Sequence, residues 1–382
     1  MKRLLALGVL FAIAAVAGWY VGYAQRPTYR IAGPSMAPAL LGPHYDVACP
    51  ECGHTFAIDA TRGPIPTAVC DYCGARAPVK TGDVKPGDAI KPLAGEIERF
   101  DLVMFPDPEN PAQQVVKRVV GLPGETVECR DGDLWINGER YVKSWEELSR
   151  VMIPIYEAGD PLADDPRIKI SSDGWTEYHH QVHSQGIQIA GAAPPLDDYP
   201  YNQGLPGKLH PLDELICTFT WQAAGLLEVR FGFDGYDQQI CSNPSLETTY
   251  RWILAGEEPP PTTLESSGSG HSPPPELAVH AALCDGKLQF GGEGRTSGVE
   301  LPTELDFANC SAVPVRILAG SGQVKGLKIY RDLRYADFPE TEIPADAYFV
   351  LGDNVLASRD SRDFGPISAK DARRMVPASR PD

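Results

Sequence analysis

The sequence predicts a mainly β protein. Its β core is entered by one N-terminal membrane-spanning helix and interrupted by two insertions, a four-cysteine ribbon and a larger β-sandwich-like module. Three observations predict this. Gly 37 and Pro 36 make up nearly one in five of the 382 residues, which favours short strands and turns over long helices. Short apolar runs rich in β-branched and aromatic residues recur between turn residues. Only one apolar run is long enough to span a bilayer, and it lies at the amino terminus. Hydrophobic residues at 43% and charged ones at 22% sustain a folded core and exclude wholesale disorder. Lys+Arg 34 against Asp+Glu 51 gives a net charge of -17, which excludes nucleic acid as the main partner. Cys 9 is odd in number and too sparse for a disulfide-built miniprotein.

Lys2 and Arg3 precede an uncharged run from Leu4 to Ala24. At about 1.5 Å per residue it reaches roughly 31 Å, enough to cross a bilayer core. Trp19, Tyr20 and Tyr23 cluster at its far end, where amphipathic rings favour the headgroup layer. The basic pair keeps the amino terminus in the cytoplasm, so everything after Arg26 is expected outside. The competing reading is a cleaved secretory signal ending near Ala15-Val16-Ala17. The apolar run continues past that site, which favours an uncleaved single-pass anchor over residues 1–26. Either reading puts the body of the chain across the membrane.

The remainder divides by texture. Residues 27–43, 84–143 and 338–382 are expected to form one discontinuous core. Its strands are signalled by Asp101–Phe105, Val115–Val120, Asp133–Asn137 and Tyr348–Leu351, and Asn137-Gly138 marks a type I′ hairpin. Residues 44–83 hold two cysteine pairs. Residues 144–337 read as antiparallel strands of a sandwich, with Leu227–Phe233, Leu277–Leu283, Lys287–Phe290, Val313–Leu318 and Gly326–Tyr330 as candidates and Asp234-Gly235 and Asp285-Gly286 as turns. The Pro/Ser/Gly-rich run 257–276 is expected to be a disordered loop.

Three segments carry chemistry. Gly33-Pro34-Ser35-Met36-Ala37-Pro38 stiffens the backbone around one hydroxyl, although a serine between prolines also suits a plain turn. In Val115-Val-Lys117-Arg-Val-Val120, alternation puts Lys117 on a face with Val115 and Val119 and sends Arg118 the other way. That flank would desolvate the amine and lower its pKa. Bringing a lysine from about 10.4 to about 7–8 corresponds to about 4 kcal/mol. The plain alternative is a lysine that snorkels to water. The third segment, Gly352-Asp-Asn-Val-Leu-Ala-Ser358-Arg-Asp360-Ser-Arg362, follows a strand and is dense in small polar groups. It also suits an ordinary loop held by an Asp360–Arg362 pair.

Taken in order with Arg99-Phe-Asp-Leu-Val-Met-Phe105 and Gly121-Leu-Pro-Gly-Glu125, these segments resemble the boxes of the type I signal peptidases, the Ser/Lys membrane proteases. The resemblance covers the anchor and three blocks of the core, and neither insertion. It implies that Ser35 is the nucleophile and Lys117 the general base, with no cofactor for catalysis. Ser358 would hydrogen-bond and orient the lysine, and Asp360 and Arg362 would form a supporting ion pair. The Ser35 backbone N–H would serve the oxyanion. The side-chain donor that some members carry two residues earlier is missing, because that position is Gly33. Ala39 and Val355-Leu356-Ala357 also depart from the usual pattern. Ile31, Ala32, Met36, Leu40 and Val116 would line an apolar pocket for the small residues before the cut. The implied partners are signal-peptide-bearing preproteins and the lipid bilayer, and the implied location is the cytoplasmic membrane with the catalytic domain outside.

Cys49-x₂-Cys52 and Cys70-x₂-Cys73 stand 17 residues apart, with Gly53 and Gly74 after each pair. This spacing resembles a zinc ribbon holding a structural Zn²⁺; disulfides or a metal-free relic are the alternatives. Pairing 217–241 and 284–310 is open among the other cysteines and would leave Cys129 free. His179-His180-x₂-His183 is a weaker metal pattern. Two other readings remain: a catalytically inactive membrane-tethered scaffold, and a Ser/Lys protease that cleaves itself or one partner, as the related self-cleaving repressors do.

Overall fold

A computed structural model describes residues 27–157, 159, 162–182, 195–212, 214–222, 225–233, 236–242, 248–254, 262–264, 276–292, 294–300, 315–319 and 322–378. The expected anchor over 1–26, most of the 257–276 run, the Asp234-Gly235 turn, His183 and Cys310 lie outside the described residues. Among the described residues, no helix is long and apolar enough to cross a membrane.

The chain is mainly β, as composition requires. A seven-stranded antiparallel sheet is built in the order Tyr29–Arg30, Ala89–Pro92, Arg373–Pro377, Leu102–Pro106, Gln114–Gly121, Ala347–Leu351 and Ile367–Ser368. Beside it lies a four-stranded sheet of Glu139–Arg140, Asp133–Ile136, Thr126–Arg130 and Phe338–Glu342. Two-residue turns set the register here. Asn137 (φ 54) and Gly138 (φ 81) join strands paired Ile136↔Glu139. Asp131 (φ 52) and Gly132 (φ 91) do the same one hairpin earlier. Two successive positive φ values are the type I′ signature, which Asx-Gly meets with least strain.

Two small hairpins follow the first strand of the core. His44–Ala48 pairs with Thr55–Asp59, and Thr67–Val69 pairs with Arg76–Pro78. Each carries one cysteine pair at its tip. Tyr45, Val47, Phe56, Ile58, Ala68, Ala77 and Val79 form their shared core with Cys49 and Cys70.

The larger insertion is a true sandwich. A six-stranded sheet runs Ile153–Glu157, Val324–Arg331, Leu215–Gln222, Glu276–Cys284, Lys287–Gly292, Arg295–Glu300. A seven-stranded sheet runs Ile168–Ile170, Thr176–Tyr178, Val315–Leu318, Leu227–Phe233, Tyr236–Ser242, Thr248–Leu254, Thr262–Leu264. Inward residues of both, among them Trp221, Phe219, Phe290, Phe231, Val229 and Ile317, share one apolar core. A second cluster crosses into the core sheets, where Ile216, Ala282 and Cys284 pack with Phe100, Leu134 and Phe349. Neither of the two cysteine pairings left open, 217–241 and 284–310, is made. Cys217 and Cys284 are free, buried thiols, one in the sandwich core and the other in this shared cluster.

Candidate active site

Lys117 lies on Gln114–Gly121, between two paired strands, opposite Val103 on one side. Its face is apolar: Val103, Phe105, Val119, Val350 and Ile367 form one cluster with Val115 against it. The residue is 3% exposed. Burial pulls the amine down to about 8, against the opposing pull of the Asp360 and Asp353 carboxylates. Among the described residues its ammonium has no hydrogen-bonded or ion-paired partner; burial, not a fixed partner, sets its state.

The neighbouring strand Ala347–Leu351 pairs Leu351 with Arg118, so the next antiparallel step sets Gly352 beside Lys117. Gly352 is also where the other segments meet. A Cβ built on it would lie 2.1 Å from Ser358 Oγ and 2.6 Å from the Ser35 carbonyl oxygen. Only a residue without a side chain lets the three approach. Ser35 itself is half-buried, and its carbonyl accepts from Asn354 N at 3.0 Å.

Ser358 Oγ donates to Asp360 Oδ2 at 2.7 Å. With its one proton used there, the hydroxyl could meet an amine only as an acceptor, and the expected hydrogen bond from Ser358 to Lys117 is not made. Asp360 is a hub. It accepts from Gly352 N at 2.9 Å and from Arg362 Nε and Nη2 at 2.8 Å each. It also caps the single helical turn Ser361–Phe364. Burial raises its pKa, but the Arg362 guanidinium and these donors outweigh that and hold it below the usual carboxylate range.

Ile31, Met36 and Leu40 pack with Ile90, Leu102 and Met104, and Val116 lies against them. Ala32 is exposed and outside this cluster. A Cβ built on Gly33 meets nothing within 4 Å; the position is open to a side chain.

The sequence profile of the signal peptidase, peptidase S26, family matches residues 3–152 and 321–374, just over half of the chain. The chain belongs to that family. The signal peptidase I V of Bacillus subtilis (strain 168) is 37% identical over 65 residues, 17% of this chain. The chain covers only 38% of that relative's length. Two solved structures are similar at low identity. A signal peptidase I from Enterococcus faecalis V583 is 18% identical, covering 74% of this chain and 99% of that one at a TM-score of 0.22. Sheep galectin-11 is 9% identical, covering 31% and 92% at a TM-score of 0.25.

Residues 153–320 fall between the two stretches that match the peptidase S26 family. Two features of this family member escaped sequence reasoning. Arg118, read only as pointing away from Lys117, makes a fully buried two-pronged pair with Asp353, at 2.8 and 2.5 Å. Its signal was its place beside Lys117 and the acid after Gly352. Tyr199 and Asn202, from the insertion, reach the same loop: Tyr199 OH donates to Asp353 O at 2.8 Å, and Asn202 pairs with Asn354. No spacing or motif announces residues that arrive from 150 positions away in an insertion.

The four cysteine sulfurs all lie within 4.8 Å of one another, with Cys49–Cys73 at 3.5 Å and Cys52–Cys70 at 3.7 Å. A tetrahedron with bonds of about 2.3 Å has edges of about 3.8 Å, so the donor set fits a zinc ion. Cys49, Cys52 and Cys70 are free thiols. Burial raises the Cys49 thiol, but the backbone N–H groups of Cys52 and Glu51 outweigh it and bring the pKa down to about 7. Of the His179-His180-x₂-His183 pattern, only the first two histidines are among the described residues. His179 faces Glu177 at 3.1 Å, and His180 faces Tyr178 at 2.9 Å.

Proposed function

We propose that this chain is a membrane-bound serine endopeptidase that removes signal peptides from exported preproteins through a Ser35–Lys117 dyad. The observation that carries the reading is a dry lysine, its pKa lowered to about 8, on the strand beside Gly352, against which the Ser35 loop and Ser358 both abut. Neutral Lys117 takes the Ser35 proton as Oγ attacks the scissile carbonyl. The lysine then protonates the departing amine. Water, deprotonated by the same lysine, attacks the ester carbonyl and releases the acid and the serine hydroxyl. The Ser35 N–H stabilises the oxyanion, with Gly33 beside it. Asp360, held by Arg362 and by the Ser358 hydroxyl, keeps Ser358 and the strand end in place. The Ile31, Ala32, Met36, Leu40 and Val116 surface takes the small residues before the cut, with the extended substrate added as a strand.

The apolar run Leu4–Ala24 anchors the chain with its body outside the cytoplasmic membrane, where signal sequences end. Cys49, Cys52, Cys70 and Cys73 hold one structural Zn²⁺, whose full thiolate shell leaves no open position for catalysis. Preprotein processing tests the reading. Ser35→Ala and Lys117→Ala should each abolish cleavage by the full-length protein. Cleavage by both would overturn the dyad, and a wild type that never cleaves would favour an inactive scaffold.

A further inference from the structure

The insertion does more than occupy space beside the family core: one of its side chains completes the hydrogen bonding of the nucleophile loop. Asn202, at the end of the single 3₁₀ turn Pro200–Asn202, is buried. It exchanges two amide bonds with Asn354: Asn202 Nδ2 donates to Asn354 Oδ1, and Asn354 Nδ2 to Asn202 Oδ1, each at 2.8 Å. Asn354 Nδ2 also donates to Pro34 O at 3.0 Å, and Asn354 N to Ser35 O at 3.0 Å. One residue therefore holds the two consecutive carbonyls that bracket the Ser35 backbone. An asparagine amide has two N–H donors and one carbonyl. If Asn354 flipped, its oxygen would face the Pro34 carbonyl. The Pro34 carbonyl thus selects the orientation of the Asn354 amide, and Asn202 holds that amide in place with two bonds.

The segment that carries Asn202 is itself tied at both ends. Tyr199 OH donates to Asp353 O at 2.8 Å, and the Arg331 guanidinium lies 5.3 Å from the centre of the Tyr199 ring. At the other end, the Gln203 amide grips both backbone groups of Val69, accepting from its N–H at 2.7 Å and donating to its C=O at 2.5 Å. Val69 precedes Cys70. Residues 199–203 thus bridge the four-cysteine hairpins and the Ser35 loop, and they lie outside the stretches matched by the family.

We propose that Asn202 is a positioning residue for the Ser35 nucleophile: it holds in place Asn354, which fixes the Pro34 and Ser35 carbonyls, and so aims the Ser35 N–H and hydroxyl. The proposal rests on the Ser/Lys reading above. It makes the insertion a working part of this enzyme's site, and it predicts a loss in the chemical step, not in substrate binding.

The test uses the full-length protein in detergent micelles. It follows covalent labelling of Ser35 by a fluorophosphonate, kcat and KM on a preprotein, the pH profile and the unfolding temperature. Asn202→Leu should slow labelling and kcat at least tenfold, with KM within about twofold and the pH midpoint unmoved. Gln203→Ala, at a half-buried position, removes only the far tether and should give a smaller loss of the same kind. A folded Asn202→Leu variant that labels and cleaves at wild-type rates overturns the proposal. So does a loss confined to KM or to the unfolding temperature. If Asn202→Leu fails to fold, Gln203→Ala decides: wild-type labelling in that variant overturns the proposal. A wild type that does not label at Ser35, with Ser35→Ala still cleaving, defeats the Ser/Lys reading itself. Labelling of wild type with no effect of either variant defeats only the role of Asn202.

Discussion

At the residue scale the account turns on which force on Lys117 prevails. Burial favours the neutral amine, Asp360 and Asp353 favour the ammonium, and burial wins to leave it at about 8. A base must be unprotonated to act, so kcat/KM should rise with pH up to a plateau. Removing the Asp360 charge removes an opposing pull and leaves the Arg362 charge unbalanced. Asp360→Asn should therefore move the rising limb to lower pH, whatever it does to the plateau; a shift to higher pH in a pH–rate series would contradict this. Lys117→Arg should be inactive, by a factor of about 10³ or more in kcat, because a guanidinium does not deprotonate. Gly33 faces open space. Gly33→Ser should fold normally and keep or raise kcat by adding a hydroxyl near the oxyanion, as thermal melts and processing rates would show.

At the element scale, the close approach at Gly352 is the tightest constraint. A methyl there would overlap Ser358 Oγ and the Ser35 carbonyl, and overpacking typically costs about 1–3 kcal/mol. Gly352→Ala should lower kcat about 10²-fold in a protein that still folds, since the displaced groups belong to the site. The paired hairpins at 44–78 make a different prediction. Purified protein should carry close to one zinc per chain, and a strong chelator should remove it and lower the unfolding temperature. Metal analysis showing no zinc, with the cysteines oxidised, would reject the ribbon.

At the scale of the whole molecule, the sandwich is fastened to the core by buried charge as well as by packing. Lys143 bridges Asp285 at 2.5 Å and Asp332 at 2.8 Å, and its carbonyl accepts from Gln289 at 2.9 Å. Burial works against that charge, but the two carboxylates outweigh it and raise the amine's pKa. Lys143→Ala strands two buried acids and should cost about 3–5 kcal/mol, measurable by denaturant unfolding. Much of this was legible in sequence wherever the signal was local. Asn137-Gly138, the Leu227–Phe233 strand and the four-cysteine spacing each announce themselves within a few residues, and the family boxes locate Ser35, Lys117 and Gly352. What sequence could not give were pairings made only by the fold: Arg118 with Asp353, Lys143 with Asp285, and Asn202 with Asn354. Each joins side chains more than 140 positions apart, and none has a local pattern to mark it.

The most direct test of the central claim is the pH dependence of kcat/KM for preprotein cleavage by the full-length protein. The account predicts a single rising limb with a midpoint near 8 and a plateau above it. A limb centred near the ordinary lysine value of about 10.4, or a flat profile across neutral pH, would contradict it.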